Sequence, residues 1–210
     1  MTSSDPQTST AATADSAEAE PSSAPALPGL EVLLSSIPAL SGIGVCGSLC
    51  WAIGWQWALA PFLLLGIGGT ALAVIDLRLM RLPNKILLPL YGTGLVGLAA
   101  ASALGAGWHR MVVGLICLAV FYVIFYLLAW FGPMGFGDVK LVGVLALHLG
   151  WLGIQYAYAG VLLGAVSAAL VAITLLLRRA AGKGSRIAFG PYLLFGAWLA
   201  VLLFGVRSHF

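Results

Sequence analysis

The chain has 210 residues, of which 61% are hydrophobic and 8% charged, with a mean hydropathy of +1.04 and a formal net charge of +3. A soluble domain carries about 25% charged residues, so there are too few charges here to clothe a water-facing surface, and lipid must cover much of the protein. The small, scattered net charge excludes a nucleic-acid surface, and the lack of any Cys-x-x-Cys pair gives no support to a zinc knuckle or other metal site.

Residues 1–30 form a segment apart, rich in Ser, Thr, Ala and Pro, with Asp5, Asp15, Glu18 and Glu20 and no Lys or Arg. A secretory signal needs a basic start and then an apolar run. Neither is present, and the segment reads as a disordered acidic tail. A bilayer core takes about 20 apolar residues as a helix, and that length predicts seven spans: roughly 35–55, 59–79, 86–105, 111–131, 139–153, 156–177 and 188–206. Open strands are excluded because backbone groups in lipid must be satisfied within the element. The predicted fold class is an all-α, polytopic membrane helix bundle, with an additional N-terminal transmembrane helix within 31–58 and a six-helix core over 59–210. The first span is diluted by Gly and Ser; the fifth is short, with Lys140 at one end and His148 inside.

Within the spans, Gly66, Gly68 and Gly69 and the pair Gly160 and Gly164 are expected to let helices approach closely. Cys46, Cys50 and Cys117 all lie in apolar stretches and read as small packing residues. Trp55, Trp57, Trp108, Trp130, Trp151 and Tyr156 lie near predicted span ends and read as interface anchors. His109, His148 and His209 are scattered, and His148 reads as a packed residue rather than a ligand.

The basic residues choose the sides of the loops. Arg78, Arg81, Lys85, Lys140, Arg178, Arg179, Lys183 and Arg186 fall on one side, against Arg110 and Arg207 on the other. The positive-inside rule then puts the loops near 80–85, 132–138 and 178–187 in the cytoplasm, with the N-terminus inside and the C-terminus outside. The loop 178–187 is most simply a topology determinant, with contact to anionic lipid next.

Against this background two residues stand out. After Glu31 the chain has 179 residues and only two carboxylates, Asp76 and Asp138. An Asp at the centre of a membrane helix costs about 2.5–3.5 kcal/mol on insertion scales, and less near the interface. Both are expected at the cytoplasmic ends of their spans. Local ion pairs do not account for them: the helical neighbours of Asp76 are Leu72, Ala73, Leu79 and Met80, and Lys140 is two positions from Asp138 and points elsewhere. Two carboxylates facing each other across a wet site share a proton over a wide pH range. One can then act as base on a water while the other polarises a carbonyl and assists the leaving amine, without metal or covalent intermediate. A purely structural role as helix caps suits Asp138, at the start of a span, but not Asp76, near the end of one, where the helix dipole disfavours negative charge. Catalysis, ion handling and capping all stay open at the level of composition.

The flanking residues narrow the choice. Asp76-Leu77-Arg78-Leu79-Met80-Arg81-Leu82-Pro83-Asn84, Gly135-Phe136-Gly137-Asp138-Val139-Lys140 and Arg186-Ile187-Ala188-Phe189-Gly190-Pro191-Tyr192 occur in that order, with two spans between the first pair. Together, over about 60–206, they resemble the prepilin peptidase family, also called type IV leader peptidases, which includes archaeal preflagellin peptidases. A lone Gly-x-Gly-Asp recurs in other intramembrane proteases such as presenilins; the three segments in order are more specific. The resemblance implies an aspartic endopeptidase with Asp76 and Asp138 catalytic, no cofactor, and cleavage of a prepilin-like precursor, with a basic leader and an apolar helix, at the cytoplasmic face of the cell membrane.

The remaining motif residues, Gly135, Gly137, Lys140, Arg81, Pro83, Asn84, Gly190 and Pro191, are expected to bind substrate or shape the site. Gly135 and Gly137 permit close approach of a substrate strand or simply a turn; Pro83 and Asn84 turn one helix into the next; Gly190-Pro191 suits entry to a helix. Many bacterial members of that family also methylate the new N-terminus and carry two Cys-x-x-Cys pairs, which this sequence lacks, so the expectation of peptidase activity does not extend to methyl transfer. Two rivals use the same residues differently: a proton-coupled transporter with the carboxylates as a relay, and an inactive scaffold for pilus assembly.

Overall fold

Long apolar runs without internal charge can satisfy their backbones in lipid only as helices, and helices are what the chain forms. The computed structural model describes residues 28–54, 56–131, 135–177 and 188–204. Among the described residues seven helices follow one another: α1 (Pro28–Ile53), α2 (Leu59–Leu79), α3 (Asn84–Ala101, continued by a π-helical turn over Ser102–Ala106), α4 (Trp108–Phe131), α5 (Phe136–Leu152), α6 (Ile154–Leu177) and α7 (Gly190–Phe204). The acidic tail, Trp55, the segment 132–134, the basic loop 178–187, Arg207 and His209 lie outside the described residues. The chain divides into a unit over Met1–Ser35 and a unit over Ser36–Phe210; the first contributes, among the described residues, only the opening turns of α1.

The fold is the expected all-α membrane bundle. Among the described residues four segments, Leu59–Leu79, Asn84–Ala106, Trp108–Phe131 and Ile154–Thr174, are long and apolar enough to cross a bilayer, and Ser41–Ile53 and Gly190–Phe204 are shorter apolar helices. Five helices start earlier than their apolar runs predict, among them α3 at Asn84, where Pro83 forms the N-cap, and α5 at Phe136, so that Asp138 lies inside its first turn. Polar or charged residues in a first turn do not interrupt a helix, because the amides there need partners from outside it anyway.

The fifth helix is the centre of the bundle. Every residue from Leu141 to Leu152 is buried, with α3, α4, α6 and α7 packed around it. A helix that meets protein on all sides need not be uniformly apolar, and α5 carries His148 with no side-chain exposure, edge-on to Phe62 and with its Nδ1–H donating to the Val144 carbonyl at 2.9 Å. Trp151 and Tyr156 do not anchor the membrane interface, as their places near span ends suggest. Both are buried, and the Trp151 indole N–H donates to Ser102 Oγ at 2.8 Å. Trp57, Trp108 and Trp130 are exposed.

Small residues set the crossings, as van der Waals packing in lipid requires. α6 and α7 meet at Gly160, Gly164 and Gly196. A Cβ at Gly164 would lie 2.8 Å from the Leu193 Cα, and one at Gly196 would run into the Gly164 backbone. α4 and α5 meet the same way, where a Cβ at Gly150 would sit 3.0 Å from the Gly114 Cα. In α2, Gly68 takes the Leu90 side chain of α3 and Gly69 the Leu194 side chain of α7, each at 2.8 Å from where a Cβ would stand. The three cysteines are free thiols, and Cys117 is buried in the α4–α5 crossing.

Candidate active site

Three helix ends converge at one pole of the bundle: the C-terminal end of α2, and the N-terminal ends of α5 and α7. Asp76 is four residues from the C-cap of α2, and Met80, in the left-handed conformation (φ 48°), closes that helix by donating its N–H to the Asp76 carbonyl at 2.8 Å. The Asp76 side chain is buried, at 4% exposure, although it is a carboxylate. Its partner comes from 114 residues further along: the backbone N–H of Gly190, the first residue of α7, donates to Asp76 Oδ2 at 3.0 Å. This answers the objection that a negative charge near a helix C-terminus is disfavoured. The N-terminal dipole of α7 and one of its free amides supply what α2 cannot.

Asp138 is the third residue of α5, with Gly135 as the N-cap. Its Oδ2 lies 3.5 Å from where a Cβ of Gly135 would be, the posture of an acidic residue reaching back towards its own helix start. It is half-buried, and it lies within electrostatic reach of Asp76. The two carboxylates, 62 positions apart in sequence, therefore lie at the same pole.

The other motif residues divide by contact. Gly190 is required to be small: a Cβ there would lie 2.7 Å from Asp76 Oδ2 and 3.4 Å from its Cγ. Gly137 is pressed against Leu82 of the α2–α3 turn, where a Cβ would come within 3.0 Å. Lys140 donates from Nζ to Asn84 Oδ1 at 3.0 Å, joining the starts of α3 and α5. Pro83 is the extended N-cap of α3, and Pro191 occupies the first turn of α7, where its missing N–H costs nothing. Arg81 is exposed in the turn between α2 and α3. Among the described residues no group of three or more His, Cys, Asp or Glu is placed to hold a metal ion.

One neighbour escapes a reading by motif. The Tyr91 hydroxyl donates to the Lys140 carbonyl at 2.8 Å, and Tyr91 lines a cleft of about 440 Å³ with Asn84, Leu87, Tyr122 and Lys140. The signal was its spacing: Asn84, Leu87 and Tyr91 recur at helical intervals on one face of α3. A lone Tyr in an apolar span carries too little chemistry to be singled out without that partner.

The profile of the type IV leader peptidase family matches residues 63–206, which contain both aspartates and all three motif segments. The chain is 36% identical over 160 residues to a prepilin leader peptidase/N-methyltransferase of Stutzerimonas stutzeri, covering 74% of this chain and 54% of that protein. A protein of the same description from Pseudomonas aeruginosa is 32% identical over 158 residues, covering 74% of this chain and 53% of its own. One from Aeromonas hydrophila is 35% identical over 162 residues, with 76% and 54% covered. The chain thus spans about half the length of the curated relatives it matches. No solved structure matches it. A helical membrane bundle whose matched region carries the paired aspartates, the glycine-flanked Asp138 and the Gly190 amide places this chain in the type IV leader peptidase family.

Proposed function

We propose that the protein is a membrane aspartic endopeptidase that removes the leader from prepilin-like precursors, with Asp76 and Asp138 as its catalytic pair. The observation that supports this reading is the placement of both membrane-region carboxylates at one pole of the bundle, where α2 ends and α5 and α7 begin. In this reading one carboxylate, ionised, takes a proton from water as the water oxygen bonds to the scissile carbonyl carbon. The other, protonated, hydrogen-bonds the carbonyl oxygen, and the C–N bond then breaks as the amine nitrogen gains a proton. The Gly190 amide holds Asp76 in place throughout. Gly135, Gly137 and the Asn84–Lys140 link shape the approach of the substrate strand, and Arg81, Pro83 and Pro191 shape the turns around it.

The excess of Arg78, Arg81, Lys85 and Lys140 at this pole supports a cytoplasmic orientation in the cell membrane. A precursor with a basic leader in the cytoplasm and an apolar helix in lipid has its junction at that depth, and water reaches it there. The reading assigns the peptidase step alone. A proton relay in a transporter would need the same two carboxylates, but not a glycine-lined entry to them.

The test is co-expression with a prepilin-like precursor, comparing wild type with Asp76→Asn and Asp138→Asn at matched protein level. Leader removal by wild type and its loss in both variants is expected. Continued processing by either variant would sink the two-aspartate mechanism.

A further inference from the structure

Below the two aspartates, three helices present aligned stripes. On α2, Ala73 precedes Asp76 by three residues, and Gly69 and Gly66 continue the row; on α5, Leu145 and Leu149 follow Asp138 by seven and eleven; on α7, Leu194, Ala197 and Val201 follow Gly190 by four, seven and eleven. At about 100° per residue these spacings keep each series on one side of its helix. All eight residues line one apolar cavity of about 130 Å³. The cavity therefore begins about one helical turn below Asp76 and Gly190, at Ala73 and Leu194, and runs on into the depth of the membrane region.

Its outer wall is α1, and α1 lies outside the segment that matches the family. Its C-terminal end is anchored, with Leu49, Ala52 and Ile53 in the core, and above that its contacts are made by side-chain ends. Val45 and Leu49 touch the position of Gly66 with side-chain ends, at 3.4 and 3.2 Å from where a Cβ would stand, and Ser48 Oγ accepts from the Trp198 indole N–H at 2.8 Å. These residues meet the face through side chains, in contrast with the α6–α7 and α4–α5 crossings, where glycines admit a neighbouring backbone.

We propose that the α2–α7 face under α1 is the berth of the substrate's apolar helix, and that α1 is a displaceable cover over it. The inference rests on the leader peptidase reading, which requires an apolar helix to continue into the membrane from the scissile bond. α5, which carries Asp138, is enclosed along its length, so that helix must lie against the side on which the stripe is least tightly closed. Gly66, Gly69, Ala73 and Ala197 make this face shallow and smooth, as a helix in lipid needs. α1, itself an apolar helix lying on it, demonstrates the fit.

A reversible cross-link tests this. A Cβ at position 66 would lie 3.6 Å from Cys46 Sγ, near the about 3 Å that a disulfide spans between those atoms. Gly66→Cys in a Cys50→Ala, Cys117→Ala background should therefore lock α1 to α2 on oxidation. The locked enzyme is expected to cleave a prepilin-like precursor at less than about a tenth of the rate of its own reduced form, with dithiothreitol restoring it and oxidant leaving wild type unaffected. Equal cleavage by locked and reduced forms overturns the inference while leaving the peptidase reading intact. No cleavage by wild type overturns both. Should Gly66→Cys fail to fold, Gly42→Cys with Thr70→Cys joins the same helices one turn further along, where a Cβ at 42 would lie 3.4 Å from Thr70 Oγ1.

Discussion

The contact between Gly190 and Asp76 makes the sharpest prediction. In Gly190→Ala the new methyl would stand 2.7 Å from Asp76 Oδ2, 3.4 Å from Asp76 Cγ and 3.5 Å from Leu141 Cδ2. Carbon and oxygen in van der Waals contact sit roughly 3.2 Å or more apart, so Oδ2 must retreat by about half an ångström, in the direction that lengthens its bond to the Gly190 amide. A hydrogen bond to a charged group is worth about 1.5–3 kcal/mol, and a catalytic group misplaced by about 1 Å costs on the order of 10²-fold in rate. We expect kcat for leader removal to fall 10- to 100-fold, with KM nearly unchanged, since nothing that recognises the substrate at a distance has moved. Overpacking should lower stability by only about 1–3 kcal/mol. Purified enzyme in detergent, assayed by the shift of precursor to mature pilin on gels over time, gives both constants. Gly92→Ala is the control: it places a methyl where nothing lies within 4 Å, and its rate should match wild type. A wild-type kcat in Gly190→Ala would refute the claim that close backbone approach positions Asp76.

Two further outcomes follow from the packing. Gly196→Ala drives a methyl into the Gly164 backbone, where no rotamer change can relieve it, and should lower the thermal midpoint in detergent by more than Gly190→Ala does; an unchanged midpoint would mean that α6 and α7 do not cross there. Asn84→Ala and Lys140→Ala should show a coupling of about 0.5–1.5 kcal/mol in a double-mutant stability cycle, as expected for one partly exposed hydrogen bond. Strict additivity would deny the link between α3 and α5.

Much of this architecture is legible in sequence because lipid imposes a simple length rule, and α2, α4 and α6 obey it. α5 is the hard case. Its 17 residues are shorter than a usual span, and Lys140 and His148 make it look like a poor membrane helix. Both features make sense once the helix is seen to be enclosed by others, which only tertiary structure reveals. Trp151 and Tyr156 were misread for the same reason, since a rule for span ends in lipid fails where protein replaces lipid. At the site, the isolation of Asp76 and Asp138 and the glycines beside Asp138 are written in the sequence. The amide that holds Asp76 is not, because a backbone N–H has no letter of its own and Gly190 lies on a different helix.

The bond from Gly190 to Asp76 also has a consequence in time. The ribosome releases Asp76 and Asp138 long before α7. A nascent chain ending after α6 already carries both acids, yet lacks the amide that orients one of them. Asp76 gains its fixed position only when α7 joins the bundle, so the arrival of that helix and the assembly of the acidic pair become a single event.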